Sequence, residues 1–147
     1  MNLPLTQQNA NVSNHLYKVY KLSQIVKYFA CFDILFSFLF IVTSPYLLFY
    51  SLLTLFIGIL GYYGAKYFKV TETLYYLVFQ ILKTGLNIGI PIYYFIIYPP
   101  DMISVIFYVI LSCSELYLTY VVYTFFKNLS KLNPNEIDTL LYHINQF

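Results

Sequence analysis

Four apolar runs, each near or above the length that crosses a bilayer, fill residues 25–126 with only short polar breaks between them. They cover 25–43, 46–67, 74–98 and 102–126. A helix needs roughly 20 apolar residues to cross a hydrocarbon core ~30 Å thick. Read as one helix, Tyr28 to Ala65 would be about 57 Å long at ~1.5 Å per residue, so it must fold back. Pro45 disfavours helix at Ser44 and marks that turn; Pro99-Pro100-Asp101 marks the second. A soluble domain of 147 residues, 60% hydrophobic and 10% charged, could not hide this much apolar surface. The expected fold is all-α: an integral membrane four-helix bundle of two antiparallel transmembrane hairpins, solvated by the lipid bilayer, with a short C-terminal amphipathic helix. The first run is short and is interrupted by Lys27 and Asp33, so a re-entrant first hairpin is the alternative.

Lysine placement sets an expected orientation. Lys18, Lys21 and Lys27 flank the first run, Lys66 and Lys69 join the second to the third, and Lys127 and Lys131 follow the fourth. The breaks at Pro45 and Pro99-Pro100-Asp101 carry none. The positive-inside rule then puts both termini in the cytosol. Two sequons, at Asn11 and Asn128, would be usable only with luminal ends, and the seven flanking lysines outweigh them. Residues 1–24 form a polar cytosolic segment without the features of a signal peptide, so the first run is expected to be a retained anchor. Residues 127–147 form a cytosolic tail. In it Asn133-Pro134-Asn135 ends the preceding helix, and Ile137, Leu140, Leu141 and Ile144 give an amphipathic stripe over 135–146. Pro134 suits the first position of that helix. It would lie on the membrane surface or dock on a partner, with a frayed tail as the alternative.

Several functions are disfavoured. The net charge is +2, all from lysine, too weak and too dispersed for nucleic acid. His15 and His143 have no partner at metal-ligand spacing, so no metal site is expected. No Ser-His-Asp arrangement, phosphate-binding glycine loop or HExxH occurs, and neither a cofactor nor an enzymatic activity is expected. Cys31 and Cys113 lie in apolar runs without CxxC spacing and read as buried free thiols.

Polar residues inside the apolar runs are the candidates for function, because charges there are costly. Gln80, Lys83, Thr84 and Asn87 share one face of the third run, Ser112, Glu115 and Thr119 one face of the fourth, and Ala30, Asp33 and Ser37 one face of the first. Lys83 lies 16 residues before Pro99 and Glu115 lies 15 after Pro100. At ~1.5 Å per residue both sit roughly 23 Å from the turn, at matching depth. A Lys83–Glu115 pair is therefore expected, with Gln80, Asn87, Ser112 and Thr119 filling remaining hydrogen-bond sites and Asp33 able to join. Such a pair could staple the bundle or relay protons or ions. Pro91 cannot donate to the carbonyl of Asn87, so a bend is expected there.

Small residues at helical spacing, Thr54 and Gly58, Gly61 and Ala65, Gly85 and Gly89, allow close helix approach within the chain or with another protein. The segment Gly61-Tyr62-Tyr63-Gly64-Ala65-Lys66, closing the second run before a short lysine-bearing loop, resembles the same point in tetraspanin-like proteins. The short loops and overall size resemble MARVEL-type proteins such as the myelin and lymphocyte proteolipids. The resemblance implies four spans, cytosolic ends and lateral organisation of membrane proteins without chemistry. Pro99-Pro100-Asp101 stands where tetraspanins carry a large cysteine-bearing loop, so the partner-binding role of that loop does not carry over. The expected function is a non-enzymatic organising or accessory protein, with other membrane proteins or a second copy of itself as partners. The alternative is a small transporter or channel, or a subunit of one, using Asp33, Lys83 and Glu115.

Overall fold

The computed structural model describes the chain over residues 5–43, 48–98 and 101–145, and its side chains over 14–43, 48–98 and 101–142. The turns read at Ser44-Pro45 and Pro99-Pro100, the Asn11 sequon side chain and the side chains of His143 and Ile144 lie outside this range. Among the described residues all regular structure is helical: α1 Leu5–Thr43, α2 Leu48–Lys66, α3 Val70–Ile97, α4 Met102–Leu129 and α5 Pro134–Asn145. Stretches of α1, α2 and α4, over Asn14–Thr43, Leu48–Lys66 and Met102–Leu129, are long and apolar enough to cross a membrane. At 28 residues α3 is as long as α4 but carries Gln80, Lys83 and Asn87 and is not among those stretches.

The polar segment 1–24 does not stand apart from the first span. From Leu5 onward it is the N-terminal half of α1, a single helix of 39 residues. No Gly or Pro interrupts it, and Val19, Ser23, Val26, Ala30, Asp33 and Ser37 form one continuous buried stripe. Steps of three and four residues are the seam of helices packed side by side. The stripe of α2 is made almost wholly of small residues: Ser51, Thr54, Gly58, Gly61, Gly64 and Ala65. Each helix packs on its neighbours in a ring, α1 on α2, α2 on α3, α3 on α4 and α4 back on α1, which leaves α1 facing α3 across the centre.

The apolar core gathers at one end. Val19, Phe68, Phe125, Leu129 and Leu140 are buried there, where α1, the α2–α3 turn, the end of α4 and α5 meet. The turn is a Schellman stop, with the Lys69 amide donating to the Gly64 carbonyl at 2.9 Å. Its left-handed residue is Phe68, φ 53°, where glycine is usual. Phe68 stays because its ring, 2% exposed, fills the core. The Ser23 hydroxyl donates to the Ala65 carbonyl at 2.7 Å and so satisfies one of the free carbonyls of that helix end. Helix α5 begins with Pro134 and a glutamate that reaches back, the Asn133 amide donating to Glu136 Oε2 at 2.8 Å. Its Leu140 is buried against this chain's own bundle, with Ile137 and Leu141 beside it.

Elsewhere the usual arrangement is inverted. Val42, Phe49, Ile96 and Ile103 are each about four-fifths exposed, while the interior beyond Leu77 is polar or small. No described residue of α3 after Thr84, or of α4 before Val121, is fully buried. Cys31 and Cys113 are both free, and Cys113 is exposed rather than buried.

Candidate functional site

Asp33, Lys83 and Glu115 meet at the centre of the ring. Lys83 Nζ lies 2.7 Å from Asp33 Oδ1 and 3.4 Å from Glu115 Oε1. Lys83 therefore stands between two carboxylates, with Asp33 the closer partner. Asp33 Oδ2 accepts from the Tyr76 hydroxyl at 2.7 Å and from Gln80 Nε2 at 2.5 Å. Asn87 Nδ2 donates to Glu115 Oε1 at 3.2 Å. The Thr84 and Thr119 hydroxyls bond one another at 2.7 Å. Ser112 is half-buried and makes no hydrogen bond to the cluster, so its expected part in the network is not realised.

Depth counting from the Pro99-Pro100 turn treats α3 and α4 as an isolated hairpin and therefore ranks Glu115 first. The ring of helices adds what that count lacks. Asp33 sits on the diagonal helix, and the long side chains of Tyr76, Gln80 and Lys83 reach it across the centre because α2 contributes only small residues beside them. Tyr76 is fully buried. In the sequence it reads as one of several interfacial tyrosines near the lysine loop. The missed signal is its register: 76, 80, 83 and 87 form one stripe.

The small residues divide into two groups. A methyl on Gly58 would lie 3.0 Å from Ile34 Cγ1, one on Gly61 2.6 Å from the Tyr76 ring, and one on Gly64 2.8 Å from the Thr73 amide nitrogen. Ala65 is fully buried beside them. These residues let α1 and α3 close on α2. Gly85 and Gly89, by contrast, have nothing within 4 Å of where a Cβ would stand, so they pack no helix of this chain.

A cleft of about 350 Å³ opens beside the ion cluster, lined by Asp33, Lys83 and Glu115 together with Phe36, Phe40 and Tyr50. A second, of about 270 Å³, lies between α3 and α4 and shares Asn87, Leu111 and Glu115 with it; Pro91 is in its wall. Three buried oxygens in this region have no hydrogen-bond partner: Ser51 Oγ, Gln80 Oε1 and Glu115 Oε2. Among the described residues no group of three or more His, Cys, Asp or Glu side chains is placed to hold a metal ion. No family model matches the chain, and no curated protein or solved structure is significantly similar to it.

Proposed function

We propose that this chain is a four-span membrane protein with cytosolic termini that acts by packing against other membrane proteins or a second copy of itself, without catalysing a reaction. The observation that carries this reading is the open Gly85–Gly89 face of α3. In lipid, glycines four residues apart on a helix allow close approach of another helix, and no helix of this chain takes that approach. The outward Phe, Ile and Leu side chains of α1 to α4 support immersion in lipid, since water tolerates no such continuous apolar surface. With α3 as the remaining span, every lysine outside the ion cluster falls at the α2–α3 turn end, which supports cytosolic termini. The ion cluster then serves as a staple within the bundle, a role that agrees with the lateral organising function of tetraspanin-like proteins.

The test is cysteine crosslinking in native membranes. With Cys31 and Cys113 replaced by Ala, a cysteine at Gly85 or Gly89 should give a discrete crosslinked species, and one at Phe56 on α2 should not. Gly89→Leu should abolish the Gly85 crosslink while leaving the yield of folded protein unchanged. A cysteine at Gly85 that captures nothing, or captures as much in the Gly89→Leu background, contradicts the reading.

The second reading is a small transporter, channel or subunit of one. The cleft beside Asp33, Lys83 and Glu115 favours it, because intramembrane charges lining a cavity mark ion and substrate paths. Purified protein in liposomes should then show proton or cation flux that Glu115→Gln removes. Liposomes no leakier than protein-free ones sink this reading.

A further inference from the structure

One ammonium answers two carboxylates in the ion cluster. With all three groups ionised, Asp33, Lys83 and Glu115 leave one negative charge unmatched, in a setting where an unmatched charge is costly. The shortfall falls on Glu115. Asp33 has a donor on each oxygen, but Glu115 Oε2 has none. Ser51, 1% exposed, lines the same cleft, and its hydroxyl is also without a partner. The cleft, at about 350 Å³, is far larger than a bare ion needs. It falls at the small end of the range for ligand pockets, about 300–1,000 Å³. Its lining also includes Phe36, Phe40 and Tyr50, a set that suits an apolar body.

From the unmatched carboxylate, the unpartnered hydroxyl and the aromatic lining we propose that this cleft binds a small lipophilic primary amine in its protonated form. The ammonium completes the charge balance at Glu115 and donates to the Ser51 hydroxyl, and the hydrocarbon body lies against Phe36, Phe40 and Tyr50. Glu115 Oε2 is buried, but a carboxylate turns easily about its last torsion and can present an oxygen to the ligand. The turn carries both oxygens, so the contacts of Asn87 and Lys83 to Oε1, at 3.2 and 3.4 Å, shift with it. A neutral or anionic ligand of the same shape gains nothing at Glu115. This inference deepens the second reading above by naming a ligand class. It requires binding only, so an absence of flux leaves it standing.

The experiment is equilibrium dialysis of radiolabelled 4-phenylbutylamine against the full chain in phosphatidylcholine nanodiscs, with empty nanodiscs as the lipid-partition control. The expected result is one saturable site per chain above the control, with no such site for 4-phenylbutanol or 4-phenylbutyrate. Glu115→Gln, which preserves shape and the Asn87 contact, should weaken amine binding at least ten-fold. Leu111→Trp, on the cleft wall and away from the apolar core, should remove binding while helicity and thermal midpoint stay those of the native protein. Amine uptake equal to empty nanodiscs overturns the proposal. So does equal binding of the alcohol, which would make the cleft a site for lipid tails, and so does native affinity in Leu111→Trp.

Discussion

Loss of Lys83 would leave Asp33 and Glu115 buried near one another with no counter-charge between them. Breaking a buried pair by removing one partner costs about 3–5 kcal/mol, because the remaining charge is uncompensated. Lys83→Met is therefore expected to be the most damaging single change in the cluster. Asp33→Asn in the same chain should restore part of the loss. Reversible unfolding in mixed micelles, run as a double-mutant cycle, should give a coupling within the roughly 0.5–3 kcal/mol seen for residues in contact. Strict additivity would mean that the 2.7 Å contact carries no energy. Tyr76→Phe tests the other oxygen and should cost about 1.5–3 kcal/mol, the usual value for a hydrogen bond to a charged group. At this scale the sequence reveals that Lys83 and Glu115 are neighbours in depth, since rise per residue is fixed, and it sets Asp33 nearer the midplane by its shorter distance from Pro45. It does not reveal which carboxylate Lys83 prefers. That depends on which helices face each other across the ring, and spacing along one chain says nothing about that.

The helices respond to change according to what faces them. Gly61→Ala places a methyl 2.6 Å from the Tyr76 ring, close to the α3 backbone, where little can yield. Overpacking of this kind costs about 1–3 kcal/mol, and here it should also pull Tyr76 from Asp33. Gly85→Ala meets open space, and in the isolated chain it should stabilise α3 by roughly 0.4–1 kcal/mol through lower unfolded-state entropy. Thermal unfolding of the two variants should move in opposite directions, although both glycines look alike as small-xxx-small positions in the sequence. At the start of α4, Asp101 caps the helix, its carboxylate accepting from the Ser104 amide at 3.2 Å and from the Ser104 hydroxyl. These bonds hold its carboxyl below the usual aspartate range. A lowered folded value means that the cap's contribution is complete above the unfolded pKa, roughly 4, and is lost as pH falls through the folded one. Hydrogen exchange at the Ser104 amide, corrected for its intrinsic rate, should accelerate across that acid window in the native chain and stay level in Asp101→Asn. Helix α5 is legible in the sequence from Pro134, Glu136 and the apolar stripe. Its docking site is not, because that site is assembled from α1 and the ends of other helices. Leu140→Ser should expose the tail to protease while leaving α1 to α4 protected.

The whole molecule has an apolar core at one end and a polar interior toward the other, wrapped in outward-facing apolar side chains. The number of helices and the extents of α2, α3 and α4 are readable in the sequence because apolar runs and prolines set them directly. The extension of α1 back to Leu5 is not, since polar composition suggests a separate segment while the burial of Val19 and Ser23 ties it to the bundle. The four-span topology depends on α3. It is the helix that carries Lys83, and the four-span proposal requires it to cross the membrane together with α1, α2 and α4, which are apolar enough to do so on composition alone. Membrane-impermeant maleimide labelling of single cysteines at Lys69 and Asp101, in sealed vesicles of known orientation with Cys31 and Cys113 replaced, measures this directly. The account predicts labelling of the Lys69 position from the cytosolic face only and of the Asp101 position from the opposite face only. Labelling of both positions from the same face would show that α3 does not cross, and would contradict it.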